Sequence, residues 1–193
     1  MASANAGEAG RAGVGALLAA SLAAHGSAAH PYFASDDLLR GPNAARNLAD
    51  AVHFLCTLHG RHPGVLDFAA ERTVEPAPRA WLRQSAAAFA VERSYLARLA
   101  VAAGPVPGTP GGSASEAAVV SQRAAIATLG RSERRGCALG AALGLVADWS
   151  RVRDVLDAAA RRLEVAPPPC TLAAPAELRA LAERAAGNAS FER

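Results

Sequence analysis

The sequence predicts an all-α protein, an antiparallel four-helix bundle with an N-terminal helical arm and a short C-terminal helix. Alanine is abundant and aromatic residues make up only 5% of the 193 residues, a composition that favours helices packed close together. Apolar residues recur at helical spacing between clusters of proline and glycine, without the alternation typical of strands. These clusters divide the chain into an arm at 1–42, a bundle at 43–166 and a Pro-rich linker with a C-terminal helix at 167–193.

Turn-forming residues bound the first two bundle helices. Asn43 is a suitable N-cap for a first helix over 43–61, which the His62-Pro63-Gly64 segment ends. A short helical turn is expected at 65–70, and the second helix is predicted over 79–103.

A glycine- and proline-rich segment at 104–112 separates the two halves of the bundle. It is followed by a third helix over 113–129 and a fourth over 132–165, although Ser150 could cap a separate helix. A last helix begins at Pro175. The separating segment is long enough for a crossover along a whole helix, as in ferritin-like folds, or for a loose hairpin, so the sequence leaves the topology open.

Gly136, Gly140 and Gly144 form a stripe at a spacing of four residues on the fourth helix. A glycine inside a helix costs about 1 kcal/mol relative to alanine, so a stripe of them needs a compensating reason. We expect this stripe to allow the close approach of another helix near Glu92, from the same chain or from a second one.

Glu92, Asp50, His53 and Asp148 are the candidate metal ligands. Glu92 lies on the apolar face of the second helix, where a carboxylate needs a partner, a proton or a metal ion. Asp50 and His53 have the i, i+3 spacing of the carboxylate–histidine pairs in di-iron bundles, and Asp148 could add an oxygen ligand. Iron or manganese would then be the cofactor of a degenerate or atypical ferritin-like oxidoreductase.

A second carboxylate–histidine pair is missing from the sequence, because all five histidines lie within 25–62. The competing interpretation is that Glu92 pairs with a buried arginine such as Arg135, or lies at the edge of the apolar stripe. Cys56, His59 and His62 could similarly meet one zinc ion along a helix side, but zinc needs three or four convergent ligands. The two histidines are instead expected to interact, as partly protonated groups, with the negative end of their helix.

Charge and cysteine content exclude several classes of function. The net charge is +3, and all 20 basic residues are arginines scattered along the chain, whereas nucleic-acid-binding proteins concentrate them on one face. We therefore expect no nucleic-acid partner.

No apolar run approaches the roughly 20 residues of a membrane-spanning helix. Three widely spaced cysteines predict neither a disulfide framework nor a metal pair, which favours the cytoplasm.

The N-terminal region offers an alternative location. Residues 12–24 form a weak apolar run after Arg11, and Ser27 and Ala29 resemble the small residues before a signal-peptidase cut. An exported helical protein, cleaved near Ala29, is therefore the second alternative. The preferred prediction is a non-catalytic helical bundle that acts through protein contacts or self-association, as a homodimer or with a protein partner at its helix faces.

Overall fold

The protein is all-α, as predicted. The computed structural model describes residues 13–191, with side chains up to residue 187, and helices are its only regular secondary structure in that range. Two single 3-10 turns, Ser27–Ala29 and Pro31–Ala34, lie between the first two α-helices. The α-helices of the described residues are α1 (Val14–His25), α2 (Asp36–Leu39), α3 (Ala44–His59), α4 (Val65–Arg72), α5 (Pro76–Ala103), α6 (Gly112–Gly130), α7 (Cys137–Leu163) and α8 (Pro175–Phe191).

Helix α7 is the centre of the packing. It contacts α3, α4, α5 and α6, and it also touches α1 and α8. Its buried residues run along its whole length, from Ala138 to Ala160, and include Trp149 at its middle. Among the described residues, α5 and α6 pack on α3 and α7 rather than closely on each other.

The segment between α5 and α6 lies against α3. His53 Nε2 donates a hydrogen bond to the Gly104 carbonyl oxygen at 3.0 Å, and Thr109 Oγ1 donates to Asp50 Oδ2 at 2.6 Å. Further along, Arg123 on α6 donates to the carbonyl oxygen of Thr57 at 3.2 Å. The chain thus meets Asp50 just before α6 begins, Thr57 midway along α6, and Val65, beyond the end of α3, at Gly130. Helices α3 and α6 therefore run in the same direction. Ferritin-like topology is not confirmed, and the four-helix bundle stays a prediction.

Several helix boundaries differ from the predicted ones for local reasons. Helix α5 begins at Pro76 rather than at residue 79, because proline suits the first turn of a helix. Helix α7 begins at Cys137 rather than at residue 132, because Gly136 has a φ of 76°, outside the helical region. Helix α7 then continues through Ser150 without a break.

The predicted close approach at the glycine stripe is wrong for the described chain. Gly136 precedes α7, and a Cβ atom built on Gly140 or Gly144 would meet no atom within 4 Å. Both of these glycines instead line clefts. Close approach occurs at Gly15 of α1, where a Cβ atom would lie 2.7 Å from the carbonyl oxygen of Arg179 on α8.

The N-terminal helix is docked on the C-terminal one. Helices α1 and α8 pack along each other, and the Gly15 amide donates a hydrogen bond to Glu183 Oε1 at 2.9 Å. Of the predicted arm, residues 1–12 lie outside the described residues. Within the described range, no helix combines the length and the apolar character that a membrane crossing requires.

Candidate functional site

The structure does not bring the four predicted metal ligands together. Asp50 and His53 hold the 104–111 segment through the bonds given above. Asp148 of α7 accepts hydrogen bonds from the amide and the hydroxyl of Ser27, at 2.8 and 2.6 Å. Within residues 13–187, no three His, Cys, Asp or Glu side chains are placed to share a metal ion. A site for iron or manganese stays a prediction that elemental analysis can test.

Glu92, the fourth predicted ligand, is buried between α5 and α7 and is bonded to protein groups. Trp149 Nε1 donates to Glu92 Oε2 at 2.9 Å, and Arg153 Nη1 donates to the two carboxylate oxygens at 2.8 and 3.1 Å. Glu92 thus pairs with a buried arginine, but the partner is Arg153 rather than Arg135. Trp149 and Arg153 are one turn apart on the face of α7 that packs on α5, whereas Arg135 precedes the helix.

Arg153 connects this pair to a wider cluster. Its Nε donates to Asp157 Oδ1 at 2.7 Å, and its Nη2 donates to the carbonyl oxygen of Pro168. The guanidinium carbon lies 4.7 Å from the centre of the Tyr95 ring, and the Tyr95 hydroxyl donates to Asp157 at 2.9 Å. Through the bond from Arg153 to Pro168, the cluster connects the proline-rich segment after α7 to the core.

The pKa values of Tyr95 and Arg153 in this cluster are both raised. Burial raises the pKa of the Tyr95 hydroxyl, and its hydrogen bond to Asp157 raises it further. Burial alone would lower the pKa of Arg153, but the hydrogen bond to Asp157 and the charge of Glu92 raise it overall. A general acid or base works best with a pKa near the working pH. Tyr95 and Arg153 are thus suited to a structural role.

His59 occupies an aromatic site that the sequence did not indicate. Its ring packs edge-on against Trp149, with centroids 5.4 Å apart, and against Phe89 at 6.3 Å. Burial lowers the pKa of His59 to about 4, although Asp148 acts in the opposite direction. His59 is therefore neutral at pH 7, which contradicts the expected interaction of a protonated imidazole with the helix end. The predicted zinc trio is not assembled, because His62 lies instead 3.6 Å from Asp67.

A cleft of about 580 Å³ opens beside His59, between α1, α3, α6 and α7; we call it the His59 cleft. Every residue of α3 from Phe54 to His59 is only partly buried, so this side of α3 is incompletely covered. Gly144 lies in the wall contributed by α7, and its missing side chain leaves room in the cleft. Other residues in the walls include Leu22, Leu58, Ile126, Leu145, Asp148 and Trp149.

Helix α6 covers the His59 cleft only loosely. Gly130, at its C-terminal end, is its one fully buried residue. Its inner side carries Val119 and Ile126, which are partly buried and line the cleft. Its opposite side, which we call the α6 outer face, is exposed and free of charged residues; it consists of Ala114, Ala117, Ala118, Ser121, Ala125 and Thr128.

A family model matches residues 22–193, which is most of the chain. The protein belongs to DUF6975, a family of unknown function. No curated protein and no solved structure matches the chain. The DUF6975 match includes α3 to α8, and therefore the Glu92 cluster, the part of the His59 cleft on α3, α6 and α7, and the α6 outer face.

Sequence reasoning did not identify Trp149 and Arg153 of this DUF6975 chain as the partners of Glu92. It also did not predict the aromatic contacts of His59. A signal for the first two was present, since they follow each other by four residues on the apolar side of α7. A signal for His59 was present as well, since it follows Leu48, Val52 and Leu55 at helical spacing on one face of α3. The rings that it contacts could not be read from that spacing, because they lie on other helices.

Proposed function

We propose that this DUF6975 protein is a non-catalytic helical protein that acts through contacts of its helix faces, with a second copy of the chain bound at the α6 outer face. Helices α3, α5, α6 and α7 would form the bundle that presents this face. The absence of catalysis is supported by the Glu92 cluster, in which the carboxylate is already bonded to Trp149 and Arg153.

The observation that carries the proposal is the composition of the α6 outer face. Six exposed positions on a helix of 19 residues hold only alanine, serine and threonine, whereas solvent-exposed helix faces ordinarily carry charged residues. The central parts of protein interfaces are depleted of charge. Small side chains also let two helices approach closely. The face is therefore suited to contact with another helix.

A second copy is the partner that this face fits best. In a two-fold dimer the same patch meets itself, so an uncharged patch of small residues always faces an uncharged patch of small residues. The net charge of only +3 also keeps electrostatic repulsion between two copies low.

Analytical ultracentrifugation over a range of protein concentrations tests this association. We expect the wild-type mass to rise from monomer to dimer, and Ala118→Arg to remain monomeric because it places a charge within the face. The matched control is Ala97→Arg at an exposed position of α5, which should associate like the wild type. A wild type that stays monomeric at every concentration, or two variants that associate equally, would contradict the proposal.

We further propose a cytoplasmic location for the protein. The support is the docking of α1 on α8, because cleavage near Ala29 would remove a helix that packs on the rest of the fold. Mass spectrometry of the protein isolated from its native cells tests this. We expect residues before Ala29 to be retained, and a mature chain that starts after Ala29 would establish export instead.

A further inference from the structure

We propose that the His59 cleft binds a small uncharged amphipathic molecule, whose apolar body lies between α3, α6 and α7 and whose hydroxyl group donates a hydrogen bond to the His59 imidazole. This site goes beyond the proposed self-association, because it lies on the inner side of α6. It would make the protein a binder of small molecules whether or not it forms a dimer.

The size and lining of the cleft fit such a ligand. Its volume of about 580 Å³ falls within the roughly 300–1,000 Å³ typical of small-molecule sites. The walls are mostly apolar, with Leu58, Ile126 and Leu145 contributed by three different helices. The fold does not fill this space itself, because Gly144 presents no side chain and a Cβ atom there would meet nothing within 4 Å.

His59 provides the polar contact. Its ring makes aromatic contacts with Trp149 and Phe89, but it takes part in no hydrogen bond among the described residues. Every fully buried side-chain nitrogen or oxygen in that range has a hydrogen-bond partner. The unbonded ring nitrogens of His59 are therefore not fully buried, and the His59 side chain lines the cleft. A neutral imidazole offers one acceptor nitrogen, which a hydroxyl group satisfies.

Asp148 makes the cleft selective for uncharged ligands over anions. Its carboxylate lies in the cleft wall, and the amide and hydroxyl of Ser27 hold it in place. A ligand carboxylate beside it would meet a like charge and would lose its hydration in a mostly apolar space. A fatty alcohol therefore fits the site better than the corresponding fatty acid anion.

Fluorescence of Trp149 reports directly on binding, because this tryptophan lies in the cleft wall. In a Trp81→Phe background it is the single tryptophan of the chain. The probes are 1-octanol, 1-methoxyoctane, which lacks the donor, and octanoate, which carries a negative charge. We expect a saturable change with 1-octanol, and binding weaker by roughly three- to tenfold for 1-methoxyoctane because one hydrogen bond is lost. Octanoate should bind more weakly than 1-octanol.

Two variants separate the cleft from other sites. Gly144→Leu fills the cleft from its wall and should weaken 1-octanol binding at least tenfold, while Gly140→Leu, at an equally open position of the same helix that does not line this cleft, should leave it unchanged. His59→Phe keeps an aromatic ring and should make 1-octanol and 1-methoxyoctane bind alike. Circular dichroism confirms that each variant is folded.

Three outcomes would overturn the proposal. The first is the absence of any saturable change with 1-octanol up to its solubility limit. The second is an equal effect of the two glycine variants. The third is a wild type that binds 1-octanol and 1-methoxyoctane equally well. Each can occur while the protein still dimerises through α6, so failure of this proposal and failure of the proposed self-association are distinguishable.

Discussion

Glu92 and Arg153 show how one buried charge determines the arrangement around it. Removing one partner of a buried ion pair typically costs about 3–5 kcal/mol, because the other charge is left uncompensated. We expect Glu92→Leu to lower the free energy of unfolding by about 3 kcal/mol, toward the low end because Asp157 still bonds Arg153. Urea denaturation measures this cost. Glu116→Leu, an exposed change of the same kind, should alter stability by less than about 0.5 kcal/mol, and equal losses in both variants would refute the structural role of Glu92.

Sequence spacing predicted that Glu92 is buried but not which group binds it. The spacing of apolar residues determines which side of a single helix is inward. The partner depends on how α5 and α7 are aligned, and nothing local encodes that alignment. Arginines on any neighbouring helix were therefore equivalent in the sequence, and the choice of Arg135 was wrong for this reason.

His59 makes stability depend on pH. Its folded pKa is about 4, whereas an unfolded histidine titrates near about 6.5. Between these values the unfolded chain binds more protons, so the contribution of His59 is complete above pH 6.5 and is lost as the pH falls toward 4. We expect the melting temperature to fall more between pH 7 and pH 4.5 for the wild type than for His59→Phe. Equal falls in both proteins would show that other groups cause the acid sensitivity.

At the scale of helices, the chain contains two kinds of glycine that the sequence cannot tell apart. Gly15 lies where α1 touches the backbone of α8, whereas Gly140 and Gly144 border open space. At Gly15, steric exclusion favours glycine over a larger residue. At Gly140 and Gly144, glycine is favoured when the open space beside it serves a function. A regular spacing of four residues drew attention to the second kind, and the isolated Gly15 gave no pattern.

Two alanine substitutions distinguish these glycines. In Gly15→Ala the new Cβ atom would lie 2.6 Å from Arg179 Cγ and 2.7 Å from the Arg179 carbonyl oxygen. The α1–α8 contact must then shift, which typically costs about 1–3 kcal/mol. Gly140→Ala meets no atom and should stabilise the protein by up to about 1 kcal/mol through helix propensity. Thermal melts of the two variants should move in opposite directions, and a stabilised Gly15→Ala would refute the close approach.

Over the whole molecule, the packing is uneven, and α7 and α6 are its extremes. The composition and the proline and glycine clusters predicted the all-α class and the approximate positions of the helices, because these features are local. They did not predict that α7 would contact α1, α3, α4, α5, α6 and α8 while α6 buries only Gly130 fully. That difference arises from contacts between residues far apart in the chain.

Hydrogen exchange provides a test of this uneven packing. Segments with few buried apolar contacts open locally at a lower free energy than the core does. At concentrations where the protein is monomeric, we expect backbone amides in the middle of α6 to exchange at least about tenfold faster than those in the middle of α7. Equal protection of the two helices would contradict the loose packing of α6.

Raising the protein concentration should slow exchange in α6 selectively, because a second copy would then cover the α6 outer face. In Ala118→Arg this slowing should be absent while exchange in α7 is unchanged, which separates a dimer contact from a general increase in stability.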